Sequence, residues 1–378
     1  MQEELYRGRE QALVKHALLQ NYLAAFGHII GLTYGSVTYV DCFSGPWRAS
    51  SQHLEDTSFS VALGELKKAR DTLRAIGKNL RIRCFFIEKN AKAYQQLESF
   101  ASAAREPGIE IITRETRFED AIPEIAAFLR KDPGSFPFVF IDPKGWKPIA
   151  INAILPLLEI RPGEVLINLM TSHLHRFVKM GNQAELFGGE RYSAQLAGLS
   201  GMDLDDEMVS LYSDALRKHG NYDFVIPAII LRPEIDTPHY RLLYATRHPL
   251  GVEKFKEAER RAMDDMEATR ANVKQRLRET RTHQPELFSG EVVDNPTFYR
   301  NLRLRYLTKS EAAVRTMLET RKKVSYDELW ATAISLPLVF EGDLKSWLGA
   351  WSERIKIEGM AARERTPKRN RGHVIVWR

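Results

Sequence analysis

Cysteine is almost missing from this chain. Among 378 residues only Cys42 and Cys84 carry a thiol, too few for a disulfide framework or a four-thiolate zinc site and in keeping with a reducing compartment. Long apolar runs are lacking too. No stretch approaches the roughly 20 residues that a bilayer-spanning helix needs, and the opening Met1-Gln-Glu-Glu-Leu-Tyr-Arg-Gly-Arg-Glu10 is too charged for a secretion signal. A cytoplasmic protein is expected. Phosphate loops are a third absence: neither G-x-x-x-x-G-K-[ST] nor G-x-G-x-x-G occurs, which weighs against nucleoside triphosphate and nicotinamide ligands. His173 and His175 stand two apart, not at the i, i+4 spacing of helical zinc sites, and no metal is expected.

What is present is an ordinary globular composition, 44% hydrophobic and 28% charged, which excludes disorder for the bulk of the chain. The length exceeds what one core usually serves, so more than one structural unit is expected. The net charge of +6 is unevenly spread. Residues 352–378 hold eight Lys or Arg against three acids, so nearly the whole excess lies at the carboxyl end. Such clustering attracts a polyanion, or is a solvated surface.

Hydrophobic periodicity predicts a helix over the first 35 residues, ended by Gly31 and Gly35, then a run of short β-branched or aromatic strands alternating with helices. The strands are Val37–Val40, Leu80–Ile87, Ile109–Thr113, Phe138–Ile141 and Glu164–Leu169. The predicted helices between them cover 59–79, 91–104, 121–129 and 149–158. Alternation of this kind marks a parallel sheet, whose neighbours need crossover connections. Tyr222–Leu231 and His239–Thr246 then read as an antiparallel final hairpin. A long charged helix over 252–283, a linker at 284–296, three helices (310–320, a short one beginning at Tyr326, and 342–353) and two closing strands (355–360 and 373–377) complete the chain. Three helices followed by a hairpin predict a winged helix.

Ligands of open α/β sheets sit beyond the carboxyl ends of the strands, which singles out Asp41, Glu88, Asp142 and Asn168 with Thr171. In Val37-Thr-Tyr-Val-Asp-Cys-Phe-Ser-Gly-Pro46, Gly45 and Pro46 form a turn where backbone can approach a ligand, and the Asp41 carboxylate suits a positive group such as the amino group of S-adenosylmethionine. A helix cap is the plainer role for Asp41. Glu88 has acceptor sites for both ribose hydroxyls of an adenosine ligand. Phe118 could lie against adenine, with Glu119 or Asp120 near the exocyclic amine or capping a helix. In Phe138-Val-Phe-Ile-Asp-Pro-Lys-Gly-Trp146, Pro143 turns the chain while Asp142 is held at the sheet edge. An Asp-Pro turn there resembles the Asp-Pro-Pro-Tyr motif of amino-methylating enzymes. Lys144 and Gly145 depart from it, leaving Trp146 either to stack on a base or to anchor the core. Arg247 and His248 read chiefly as packing residues, and Cys42 and Cys84 as core residues.

Val14-Lys-His-Ala-Leu18, Tyr39-Val-Asp-Cys-Phe-Ser-Gly-Pro46, Phe86-Ile-Glu88, Phe140-Ile-Asp-Pro-Lys-Gly-Trp146, Leu166-Ile-Asn-Leu-Met-Thr171 and Tyr244-Ala-Thr-Arg-His-Pro-Leu-Gly251 together resemble the three-Cys-motif partner protein family, a methyltransferase-like group. The likeness covers about residues 10–260. The Lys-His helix is also similar to that of ribosomal RNA adenine-N6 methyltransferases, which implies that Lys15 or His16 neutralises the cofactor carboxylate. A cysteine-bearing partner protein is implied by the family's definition.

The expectation is therefore an α/β protein: a Rossmann-like class I methyltransferase sheet with a C-terminal winged-helix domain. Its parts are an N-terminal helix packing on the core (1–35), a methyltransferase-like domain (36–251), a long helix and linker (252–296) and a winged-helix-like unit with a basic hairpin (297–378). The expected cofactor is S-adenosylmethionine, held by Lys15, His16, Asp41, Phe43, Gly45, Pro46, Glu88 and Phe118. Asp142, Pro143 and Trp146 would orient an exocyclic amine in nucleic acid, and Arg363, Arg365, Lys368, Arg369 and Arg371 would follow its backbone. The alternative is a non-catalytic partner or sensor protein of the same fold.

Overall fold

The computed structural model describes residue 6 and residues 8–45, 54–143, 145, 147–170, 186–187, 193–282 and 297–378. Pro46, Lys144, Trp146, Thr171 and residues 283–296 lie outside the described residues. The chain divides into two compact units, the second beginning at Asn295.

The first unit starts with helix α1 (Glu10–Thr33), followed by β1 (Ser36–Asp41), α2 (Ser58–Ala75), β2 (Arg81–Glu88), α3 (Ala91–Ala104) and β3 (Ile109–Glu115). Then come α4 (Phe118–Arg130), β4 (Ser135–Ile141), α5 (Ile151–Leu158), β5 (Glu164–Leu169), α6 (Gly201–Gly220), β6 (Phe224–Leu231), β7 (Pro238–Thr246) and α7 (Pro249–Thr282). The strands form one seven-stranded sheet in the order β3-β2-β1-β4-β5-β7-β6. β1 pairs in parallel with β2 and β4, β2 with β3, and β4 with β5, whereas β7 is antiparallel to β5. The short connection between β6 and β7 permits only an antiparallel pair. β1, β4 and β5 are buried along most of their length, as strands covered on both faces must be. The expected mostly parallel sheet with an antiparallel final hairpin is present.

Two corrections concern helices. Gly31 does not end α1 but lies inside it, where a Cβ would meet the Leu73 side chain at 2.2 Å. With Gly27, one turn earlier and tight against Ala69, it lets α2 approach α1 closely. Helix α6 was not anticipated at all, although Met208, Leu211, Tyr212 and Ala215 line its buried face.

Tyr22 of α1 reaches through the layer to Glu164 at the start of β5, donating to Oε2 at 2.5 Å. Thr246 Oγ1 donates to the other oxygen at 2.9 Å, and Tyr244 lies 2.5 Å from the Tyr22 hydroxyl. Burial pushes the Glu164 carboxyl up, and these hydroxyls oppose that shift. Gly251 abuts the network, since a Cβ there would lie 2.7 Å from Glu164 Oε1.

The second unit contains α8 (Thr297–Arg321), β8 (Lys323–Ser325), α9 (Tyr326–Ile334), α10 (Glu341–Ala350), β9 (Ile355–Glu358) and β10 (Val374–Trp377). Its three strands make an antiparallel sheet in the order β8-β10-β9. The first helix is longer than the expected 310–320, and β8 was not foreseen. Ser325 caps α9 through a reciprocal capping box with Glu328. Among the described residues no helix is long and apolar enough to cross a membrane.

Arg247 is structural, as its sequence context implied. Its guanidinium donates to the carbonyls of Leu158, Ile160, Gly163, Gly220 and Asn221 and stacks on Tyr222 at 4.1 Å. It thereby satisfies the orphan carbonyls that end α5 and α6. Arg247→Ala leaves these acceptors without their cation and is expected to destabilise the protein by about 3 kcal/mol. Urea unfolding checks this, with the midpoint falling at unchanged slope.

Candidate functional site

The carboxyl ends of β1, β2, β4 and β5 open onto one cavity of about 630 Å³, walled on one side by the first turns of α1. It gathers residues that are far apart in the chain: Lys15 and His16, Phe43 and Gly45, Glu88, Phe118, Asp142 with Pro143, and Asn168. Every proposed cofactor or acceptor residue within the described segments lines it except Asp41. Pro46 and Trp146 lie outside the described residues.

Asp41 is fully buried beneath the cavity instead of facing it. Its Oδ1 accepts from the Phe43 amide at 3.1 Å and its Oδ2 from Ser58 Oγ at 2.6 Å. Ser44 Oγ donates to the Asp41 carbonyl at 2.7 Å, and the Ser44 amide donates to Ile87 O at 2.8 Å. Asp41 therefore shapes the loop carrying Phe43 and Gly45 and stands behind the residues that line the cavity, where a direct ligand contact was expected. Burial pushes its carboxyl up to about 6, against the pull of Ser58 and Phe43, with Asp142 adding to the rise.

Glu88 closes β2 with its carboxylate on the cavity wall, and its Oε1 accepts from the Asn90 amide at 2.6 Å. That leaves its other oxygen for a ligand hydroxyl. Asn90 in turn caps α3. Phe118, the first residue of α4, is buried and packs on Phe43 with ring centroids 5.2 Å apart. Glu119 reaches the cavity, whereas Asp120 is not among its lining residues.

At the end of β4, Asp142 is held from two directions. Lys15 Nζ pairs with Oδ2, and Asn168 Nδ2 donates to Oδ1 at 2.6 Å. Lys15 thus already has a carboxylate partner. His16 is not a second cation: it is buried, its Nδ1 lies 2.8 Å from the Tyr6 hydroxyl, and burial with the charges of Lys15 and Arg9 holds its pKa well below the ordinary value. His16 lines the cavity where the expectation placed it, with burial disfavouring the charged form that a ligand carboxylate would pair with. Arg9, paired with Asp56, is the other cation of this wall.

Sequence reasoning missed Arg9, Asp56, Ser58, His239 and Tyr240, all of which line the cavity. The last two come from β7, whose antiparallel return beside β5 brings them to the rim. The Tyr240 hydroxyl donates to the Gln11 carbonyl at 2.6 Å, tying β7 to α1. Cys42 and Cys84 are both free and buried, and burial raises both thiols, which disfavours the thiolate form. Among the described residues no group of three His, Cys, Asp or Glu could hold a metal ion.

In the second unit, the 359–373 turn between β9 and β10 carries the basic residues. Arg363, Arg365, Lys368 and Arg371 are exposed. Arg369 differs, because its guanidinium stacks over Trp330 at 4.0 Å and so anchors the turn on α9. Glu364 braces the same turn through His373 Nε2 at 3.1 Å.

The raised Asp41 pKa has a sign that can be measured. The unfolded carboxyl ionises near 3.8 and the folded one near 6, so the folded state holds the extra proton and loses stability as pH rises through that window. Asp41→Asn removes this loss. Relative to wild type, its urea-unfolding free energy should gain on the order of 2 kcal/mol between pH 3.8 and 6; a pH-independent difference would show that the carboxyl titrates normally.

A comparison with protein-family models returns no match for the chain, and a comparison with curated proteins returns none either. Among solved structures, the chain is similar to protein LPL1258 from Legionella pneumophila str. Philadelphia 1, of family DUF519. The match has 13% identity, covers 63% of this chain and 85% of that one, and has a TM-score of 0.36.

Proposed function

We propose that this chain is a class I S-adenosylmethionine-dependent methyltransferase of the three-Cys-motif partner type, acting on an exocyclic amine in nucleic acid. The observation that carries the reading is the convergence of Phe43, Gly45, Glu88, Phe118 and Asp142 on a single cavity at the carboxyl rim. The strand order β3-β2-β1-β4-β5-β7-β6 with β7 reversed is the arrangement of class I methyltransferases and supports the same conclusion. The cavity volume falls in the range of nucleoside-sized ligands.

The residues fit such a ligand. Glu88 offers a carboxylate oxygen to ribose hydroxyls, the Phe43–Phe118 pair offers an apolar face to adenine, and Arg9, paired with Asp56, lines the same cavity. When bound, S-adenosylmethionine supplies a methyl group already activated by its positive sulfur. The chain's own work is then positioning. Asp142, steadied by Lys15 and Asn168, accepts a hydrogen bond from the amine and keeps its lone pair directed into the cavity, and the Pro143 turn fixes the carboxylate at the sheet edge.

In the second unit, helix–strand–helix–helix–strand–strand with sheet order β8-β10-β9 supports the winged-helix reading, the wing being the basic turn. Arg363, Arg365, Lys368 and Arg371 suit phosphate contacts that position nucleic acid without reading its sequence.

A second reading, a non-catalytic partner or sensor protein, is favoured by one observation. Lys15 occupies Asp142, the group an acceptor amine would need, and Lys144 and Gly145 replace the Pro-Tyr of amino-methylating enzymes.

Calorimetry with S-adenosylmethionine and tritiated-methyl transfer onto co-purifying nucleic acid separate the two. Wild type should bind and transfer. Asp142→Ala should keep cofactor affinity within about threefold, a change of under 1 kcal/mol, and lose transfer. Unchanged transfer would refute the role of Asp142, and binding without transfer in wild type would favour the sensor.

For the wing, the Arg363→Glu, Arg365→Glu, Arg371→Glu triple variant should weaken nucleic-acid binding. It should flatten the salt dependence by ~0.7–0.9 per lost phosphate contact. An unaltered slope in filter-binding titrations would remove the wing from the interface.

A further inference from the structure

In the second unit β10 lies between β8 and β9. Its antiparallel pairs set Val376 between Lys323 and Lys356, and Val374 between Ser325 and Glu358. The Arg378 amide donates to the Arg354 carbonyl at 2.8 Å, which extends the β9–β10 ladder by one more pair. Side chains alternate across a sheet, so these three rows share one face. The intervening Val324, Ile355 and Ile375 are buried, and Trp377 packs on Trp351. Theirs is the face against the core, and the three rows face outward.

The outward rows carry Lys323, Lys356, Arg354 and Arg378, all exposed, against a single acid, Glu358. Glu358 lies 2.9 Å from Lys323 Nζ and 3.5 Å from Lys356 Nζ, so one carboxylate serves two ammonium groups. Arg354 and Arg378 have no acidic partner among the described residues. The face is therefore positive. Successive rows stand about 6.4–6.8 Å apart along the strands, and Lys323 and Lys356 about 10 Å apart across them. Because the 359–373 turn joins β9 to β10, the rows are continuous with its exposed arginines.

Helix α10 is the opposite case. A helix-turn-helix reads the major groove with the N-terminal residues of its second helix, and in α10 those are Glu341, Gly342 and Asp343. Both carboxylates are committed inside the unit. Glu341 accepts from the Tyr326 hydroxyl at 3.0 Å and pairs with Lys345 at 2.7 Å, while Asp343 accepts from Arg303 at 2.8 Å and from the Phe340 amide at 2.9 Å. Lys345, the one cation of the helix, is thereby neutralised, and an acidic first turn repels the phosphates that line a groove. We propose that nucleic acid docks on the outward face of the β8-β10-β9 sheet, its phosphates over Lys323, Lys356, Arg354 and Arg378, with α10 held out of the groove. The inference rests on the nucleic-acid reading of the second unit and adds its surface and its mode: phosphates are contacted and base edges are not, so binding is indifferent to sequence.

The test uses the full chain and two fluorescein-labelled probes, a mixed-sequence DNA duplex and a thymidine oligonucleotide, titrated over a series of salt concentrations. The Arg354→Glu, Lys356→Glu, Arg378→Glu triple variant should bind more weakly. It should also flatten the salt dependence by ~0.9 per lost contact on the duplex and ~0.7 on the single strand. The loss should appear with both probes, because both present the same phosphates. Ser346→Glu, exposed on α10, should leave affinity and slope unchanged, and scrambling the duplex sequence should do the same.

A triple variant with wild-type affinity and slope overturns the proposal, and so does loss of binding in Ser346→Glu, which would put α10 in the groove. Neither result touches the turn, whose role the Arg363, Arg365 and Arg371 substitutions report separately. Binding of the wild type to phosphatidylserine vesicles as tightly as to the duplex would mark a surface for anionic lipid and overturns it as well. Failure of the wild type to bind either probe overturns the nucleic-acid reading, and this inference with it. Should the triple variant not fold, acetylation of the wild type by acetic anhydride decides alone. The duplex should protect Lys323 and Lys356 and leave Lys345 as reactive as before; equal reactivity of Lys323 and Lys356 with and without the duplex overturns the proposal.

Discussion

The Asp142 carboxylate is the point on which the site is built, because three separate elements meet on its two oxygens. Lys15 comes from α1, Asp142 from the end of β4 and Asn168 from the end of β5. Side-chain exposures of 13% for Lys15 and 20% for Asp142 place the pair between a surface ion pair and a buried one. Neither limit applies: the pair is too dry to be screened away as surface pairs are, and it is wet enough to avoid the full desolvation penalty of an interior charge. Its value lies in geometry. A carboxylate fixed at both oxygens cannot rotate, so whatever approaches from the cavity meets one orientation.

The same rim shows how a shared sheet edge divides labour among like charges. Asp41 and Asp142 end adjacent parallel strands, and their proximity raises the Asp41 pKa. Two carboxylates facing one cavity would repel each other and hold a proton between them. The fold avoids this by turning Asp41 downward onto Ser58 and the Phe43 amide, which leaves Asp142 as the acid of these two strand ends that lines the cavity, with Asp56, Glu88 and Glu119 elsewhere on its wall. Asp41 then acts through the loop it shapes. The aromatic Phe43, standing over Phe118, is in place only because the Asp41 carboxylate holds its amide.

Much of this was legible in the amino-acid order, and the residues that were not share a cause. Strands such as Cys84-Phe-Phe-Ile87 declare themselves because a strand covered on both faces must be apolar throughout, and the acid that follows each marks the rim. His239 and Tyr240 carry no such mark, since their arrival at the rim depends on β7 running backward beside β5, a register that no local pattern reveals. His16 was ambiguous for another reason: which of Lys15 and His16 carries the charge depends on burial, here against Tyr6, that no local pattern reveals. Helix α8 hides in its own charges. Its buried residues Leu302, Tyr306, Ser310, Val314 and Leu318 recur every four positions, a narrow stripe interrupted by a serine whose hydroxyl is bonded to the Ala333 carbonyl at 2.8 Å. β8, three residues long, is visible only through its partner β10.

The arginines show why residue type alone does not decide role. Arg247, Arg369 and Arg371 are equally basic in sequence, yet only the last is exposed enough to meet a polyanion. Arg247 has its charge absorbed by backbone carbonyls and the Tyr222 ring, and Arg369 lies flat on Trp330. A guanidinium is weakly hydrated and planar, so it accepts such settings where a lysine ammonium would not. The positive field of the 359–373 turn therefore comes from its exposed members, with Arg369 serving to hold them in place. A turn braced by Trp330, Glu364 and Asp327, which accepts from the Asn370 amide at 3.1 Å, presents its charges at fixed spacing. Fixed spacing is what a phosphate backbone rewards, because cations already ordered lose less entropy on binding than those on a loose tail.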